Sequence, residues 1–266
     1  MKIRTDFVTN SSSSSYCVSL IVNTAANKKL ELDFWPEDED GSGEVMVPLK
    51  EETASVVNGI KACESVEELR DLLINSLDLN GLFGEIEDVI LDEYEDEADD
   101  MDNTEFLAAV SKIIKNDEDG EFEEYEEILS DVKKTTSKFK RAMSKIEDLN
   151  GIKSVSICEY FTGWGEFARD GVDDFLGRAL PEDVDAGDVD AVRAVFEGKL
   201  TEEEIDSIVE QIKDDSICQF SADITTTVLM ADGKVEKKYS FDAKGNVERM
   251  SSWYENQNRL CDQFQQ

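Results

Sequence analysis

Residues 115–126 read KNDEDGEFEEYE, a spacing that can be set against a calcium loop. Such a loop takes oxygen ligands at positions 1, 3, 5 and 12, glycine at 6 and an apolar residue at 8. Counting from Lys115, residues Asp117, Asp119, Gly120, Phe122 and Glu126 fall at 3, 5, 6, 8 and 12. Asp117, Asp119 and Glu126 are therefore the candidate metal ligands, with calcium as the candidate ion. Lys115 puts a cation where the first carboxylate belongs, and this favours a plain acidic turn between two helices. Asp38, Asp40, Ser42 and Gly43 match the loop more weakly. They have Leu49 in the twelfth place and read as a solvated hairpin turn.

Three other groupings could do chemistry. The acidic block 92–102, DEYEDEADDMD, could meet a basic partner through Asp92, Glu93, Glu95, Asp96, Glu97, Asp99, Asp100 and Asp102. Nothing in it fixes a ligand geometry, and a solvated charged face is the competing reading. FTGWGEF, residues 161–167, reads as a glycine-aromatic loop flanked by Glu159 and Glu166. Tyr160, Phe161 and Trp164 could line a small pocket there, or simply cover the core. The loop has G-x-G without the third glycine of a dinucleotide fingerprint, and no P-loop occurs. Lys133, Lys134, Lys138, Lys140, Arg141 and Lys145 form a basic run with no acid among them. Pairing with the chain's own carboxylates is the favoured reading of that run.

Composition narrows the chemistry further. The 266 residues hold 63 acids, 27 bases and no histidine, a formal charge of 27 − 63 = −36. A Ser-His-Asp or Cys-His device cannot be built, nor a zinc site with imidazole ligands. No side chain has an ordinary pKa near neutrality, which argues against an enzyme. The five cysteines, Cys17, Cys63, Cys158, Cys218 and Cys261, form no CxxC pair. They read as reduced thiols in a cytoplasm. No stretch approaches the roughly 18 apolar residues of a membrane helix, and MKIRTDF has no apolar run behind it to make a signal peptide. A charge of this sign repels nucleic acid and anionic membranes and favours basic protein partners or cations.

The elements that must position these groups follow from periodicity. Tyr16–Val22 and the alternating Lys28–Trp35 read as strands, with a third short strand at 44–47. Ser65 and Glu68 have the spacing of a capping box, before the stripe Val66, Leu69, Leu72, Leu73, Leu77. Ile86, Val89, Ile90 and Leu91 form an apolar seam. Residues 104–115 read as a helix carrying Phe106, Leu107, Val110, Ile113 and Ile114. Residues 121–149 read as the longest helix, acidic first and basic last, an order that suits the helix dipole. A strand over 152–161 follows, then helices near 188–197 and 201–213, the second opened by Thr201 and Glu204. A strand over 215–230, the Asp232-Gly233 turn signal and a return strand over 235–241 form a hairpin. The expectation is an α+β fold, its mostly antiparallel sheet built from N- and C-terminal strands, with several helices packed on one face. Residues 1–15 form a Ser-rich segment before a single domain over 16–266, with a subdivision near 150 as the alternative.

The opening MKIRTDFVTNSSSSSY resembles an N-terminal segment of many otherwise different, uncharacterised bacterial proteins that share an FVTNSSSSS string. The likeness covers about residues 1–16. It implies a shared tag or mobile ancestry and carries over no catalytic residue. The string could act as a recognition handle, or its serines could simply cap and turn an N-terminal loop. Taken together, the residues point to an acidic, non-enzymatic interaction protein docking on a basic protein, as a nucleic-acid mimic does. The alternative is a calcium- or small-ligand-binding protein using the 115–126 loop.

Overall fold

The fold is taken from a computed structural model that describes residues 14–34, 47–94, 101–117, 120–123, 125–164, 166–213, 217, 219–231 and 233–241. The chain is α+β. Strands β1 (Ser14–Thr24), β2 (Lys29–Leu32), β3 (Ile152–Trp164), β4 (Gln219–Leu229) and β5 (Val235–Phe241) form one antiparallel sheet in the order β2-β1-β3-β4-β5. N- and C-terminal strands thus share a sheet, as their alternation predicts. β1 and β2 are joined by a tight turn in which Asn27 takes the left-handed conformation, φ 57°. The Thr24 N–H donates to the Lys28 carbonyl at 2.8 Å, and Leu20 then faces Leu32, both fully buried. The expected third strand lies at 44–46, outside the described residues, and at Val47, whose carbonyl accepts the Val18 N–H at 3.1 Å.

The chain divides into two compact units, one over 17–159 and 225–237, the other over 14–16, 160–224 and 238–241 among the described residues. The first unit holds α1 (Thr53–Ala62), α2 (Val66–Asn75), α3 (Glu85–Tyr94), α4 (Asn103–Asn116) and α5 (Tyr125–Met143). Ser65 caps α2 as expected, accepting the Glu68 N–H. Phe106, Leu107, Val110, Ile113 and Ile114 of α4 are all buried, and so are Leu129, Val132, Phe139 and Met143 of α5. Two departures from the sequence reading stand out. α1 lies in a stretch that carries no sequence assignment, and α5 spans Tyr125–Met143 where 121–149 is expected. The start of α4 is tied to the end of α2 by Asn103, which has no exposed surface. Its amide donates to the carbonyls of Ile74 at 2.6 Å and Leu77 at 2.7 Å, groups that a helix end leaves without partners.

The second unit holds α6 (Glu166–Ala179), α7 (Val189–Phe196) and α8 (Glu202–Lys213). The Thr201 and Glu204 pair opens α8 reciprocally: the Thr201 N–H donates to the Glu204 carboxylate at 2.7 Å, and the Glu204 N–H to the Thr201 hydroxyl at 3.3 Å. At the other end of α8, Arg169 donates to the carbonyls of Gln211 at 2.9 Å and Ile212 at 3.1 Å. The core is an aromatic cluster. Phe175 stacks on Phe196 at 5.8 Å between ring centroids, and Phe220 meets Phe241 at 5.3 Å. Each such ring contributes roughly 1.5–3 kcal/mol by leaving water. α6 reaches this cluster through Gly171. A Cβ there would lie 2.7 Å from Cζ of Phe161 and 2.9 Å from Cδ1 of Phe220.

Two stability tests follow, both read by urea denaturation. Asn103→Ala leaves two buried carbonyls unpaired and should destabilise the fold by about 3 kcal/mol. Gly171→Ala should destabilise it by about 1–3 kcal/mol through overpacking. Gly177→Ala, in the same helix with open space at its Cβ, should stabilise by roughly 0.5–1 kcal/mol instead.

Candidate interaction surfaces

The sequence places a calcium loop at 115–126, and the structure describes part of it. Asp117 sits at the C-terminal end of α4. Its carboxylate accepts the N–H of Gly120 at 3.0 Å and of Phe122 at 2.7 Å, one oxygen to each. Gly120 has φ +76°, a left-handed turn that glycine adopts without strain. Asp117 therefore organises the turn into α5. Glu126 stands exposed in the first turn of α5, and Asp119 lies outside the described residues. Among the described residues, no group of three carboxylates or thiols is placed to hold a metal ion.

The acidic block divides in the same way. Asp92 is exposed near the end of α3, while Glu95, Asp96, Glu97, Asp99 and Asp100 lie outside the described residues, as does the side chain of Glu93. Asp102 has a structural role. It caps α4, accepting the N–H of Thr104 at 2.7 Å and of Glu105 at 2.9 Å, and Glu105 reaches back to the Asp102 N–H at 3.2 Å.

The glycine-aromatic loop is corrected outright. β3 continues through Phe161 to Trp164, and α6 begins at Glu166. Side chains alternate across a strand, so Tyr160 and Phe161 point to opposite faces and cannot line one pocket. Phe161 packs on Phe220, 5.9 Å between centroids, inside the aromatic core. Glu159 is buried within β3, only 5 % exposed, whereas the side chain of Glu166 lies outside the described residues. The stripe Ala168, Val172, Phe175, Leu176, Ala179 was the available signal for α6. The neighbouring glycines 165, 171 and 177 masked it.

The second unit carries a concentrated acidic charge. Residues 166–213 contain 15 acids and 5 bases, a difference of −10. The arginines are already engaged: Arg169 with Asp173 at 3.4 Å, Arg178 with Asp174 at 3.0 Å, and Arg193 with Asp206 and Glu202. Lys199 lies over the Tyr239 ring, 5.7 Å from its centroid. Asp170, Glu182, Asp183, Glu203 and Glu210 are exposed and make no ion pair among the described residues.

α5 presents the opposite charge. Among the described residues, Lys134 pairs with Asp131 at 3.6 Å in a solvent-exposed contact. Lys133, Lys138, Lys140, Arg141 and Lys145 make no ion pair among the described residues. The thiol of Cys63, half-buried and donating to the Gly59 carbonyl at 3.2 Å, is pushed up by burial and then by Glu68, so it remains a thiol at neutral pH.

One carboxylate of the sheet gives a pH signature. Burial raises the Asp223 carboxyl, against the pull of a 2.9 Å hydrogen bond from the Ser240 hydroxyl. Between the unfolded and the raised folded value, the folded state holds a proton that the unfolded chain has released. Stability therefore falls as pH rises through that window, and the deficit persists above it. Asp223→Asn keeps an acceptor for Ser240. It should raise the melting temperature at pH 7 and lose that gain at pH 3, as read by thermal unfolding at both values.

No family model matches the chain, and neither a curated protein nor a solved structure matches it.

Proposed function

We propose that this chain is a non-enzymatic interaction protein whose acidic surface docks on a basic protein, in the manner of a nucleic-acid mimic. The observation that carries the reading is the exposed set Asp170, Glu182, Asp183, Glu203 and Glu210 on α6 to α8 and their connections, which make no ion pair among the described residues. Charge alone is a property of composition. Charge held on capped, aromatic-cored helices is a shaped surface, and a shaped array of anions can replace phosphates in a basic cleft. The absence of histidine supports a binder over an enzyme. Among the described residues no helix is long and apolar enough to cross a membrane.

Capture of the C-terminally tagged chain from cells, followed by titration of the purified partner, tests the proposal. The expected partner is a basic, nucleic-acid-handling protein whose affinity falls by ~10-fold or more between low and moderate salt. Neutralising Asp170, Asp183, Glu203 and Glu210 together to their amides should weaken that binding without lowering stability. Affinity that stays constant from low to high salt overturns the reading.

A further inference from the structure

We infer that α5 is a self-complementary docking face for a second copy of this chain, paired antiparallel about a two-fold axis. The apolar residues of α5 lie on one face: Leu129, Val132, Phe139 and Met143 are buried. At 3.6 residues per turn, the opposite face carries Glu127, Asp131, Lys134, Lys138 and Arg141 in order. All five are exposed. The face is thus anionic in its first half and cationic in its second, with spacings of four, three, four and three residues.

A face of this kind complements itself when a second copy runs the other way. With the two-fold point between Val132 and Lys133, Glu127 of one copy lies level with Lys138 of the other, and Asp131 with Lys134. Arg141 lies beyond these pairs, towards the acidic N-terminal end of the other copy's α5. Each contact occurs twice, as an isologous interface requires. A parallel alignment would set like on like at every position. Moving the two-fold point by one turn sets Glu127 against Asp131 or Lys134 against Lys138. Charge on the contact face of paired helices is a known determinant of partner and orientation. The loose Lys134–Asp131 contact within the helix, 3.6 Å, is exchanged for contacts between copies.

Exposed ion pairs are individually weak, so the association is reversible and concentration-dependent. The net charge of −36 on each copy opposes it at long range. That repulsion is screened beyond about 8 Å at physiological salt, whereas groups in contact are not. None of these residues is among those that carry the proposed function, so failure here would leave that reading standing.

Sedimentation velocity on the full chain, from micromolar to millimolar concentration, reads the association. Two variants test its origin: Lys134→Glu with Lys138→Glu, and Glu127→Lys with Asp131→Lys. Each alone should self-associate more weakly than the wild type by about tenfold or more, because like charges now face each other. Mixed in equal amounts, the two should form a heterodimer, since every facing pair is again opposite in sign. A chain that stays monomeric at millimolar concentration overturns the inference. So do variants that associate as the wild type does, or a mixture that fails to pair. Should a charge-reversed variant not fold, Lys134→Gln with Lys138→Gln takes its place, and unchanged association of that variant overturns the inference equally.

Discussion

An ionised carboxylate stays in water unless a partner replaces its hydration, and this chain has 63 of them against 27 cations. Acids so numerous cannot all be neutralised internally, so the core must be assembled from the apolar faces of helices and strands while the charge is carried outward. The amphipathic helices meet that demand. Every buried position quoted for α4 is apolar except Asn103, and the acids of α8 crowd its first turn, where the helix dipole favours them. Some carboxylates have specific structural work or carry a desolvation penalty. Asp117 and Asp102 hold main-chain N–H groups at helix ends, and Asp223 is partly desolvated with its carboxyl raised.

The second unit shows how such a charged surface is held over a packed core. Its six aromatic rings, Phe161, Phe175, Phe196, Phe220, Tyr239 and Phe241, form one cluster. α6 approaches that cluster closely because Gly171 has no Cβ. Arg169 closes the end of α8 through two carbonyl contacts. A fixed array of anions binds a partner without first having to be ordered, which is the physical difference between a docking surface and an acidic tail.

α5 departs from this pattern, and the reason is local. Its first turns carry acids and its last turns carry Lys140 and Arg141, so both ends suit the helix dipole. The same ordering leaves the exposed face with charges of both signs at opposite ends. Stability of the helix and complementarity to a second copy thus come from one arrangement of residues. In the second unit acids outnumber bases 15 to 5 over 166–213, with no comparable division along one helix.

Much of the fold was legible in the sequence, because local rules decided it. The Ser65/Glu68 and Thr201/Glu204 caps, the apolar stripe of α4 and the strand alternation around Leu30 and Leu32 each depend on residues within one or two turns. Gly233, at φ +64°, sits in the turn that its Asp-Gly signal predicts. The net charge, and with it the class of partner proposed, is likewise set by composition alone. Tertiary structure decided the rest. FTGWG became the end of a strand and the entry to a helix because Phe161 finds Phe220 and Gly171, contacts to residues distant in the chain or on the next element. Asn103 acquired its role from carbonyls 26 and 29 residues away. Such contacts are made between elements, and no local period or spacing encodes them.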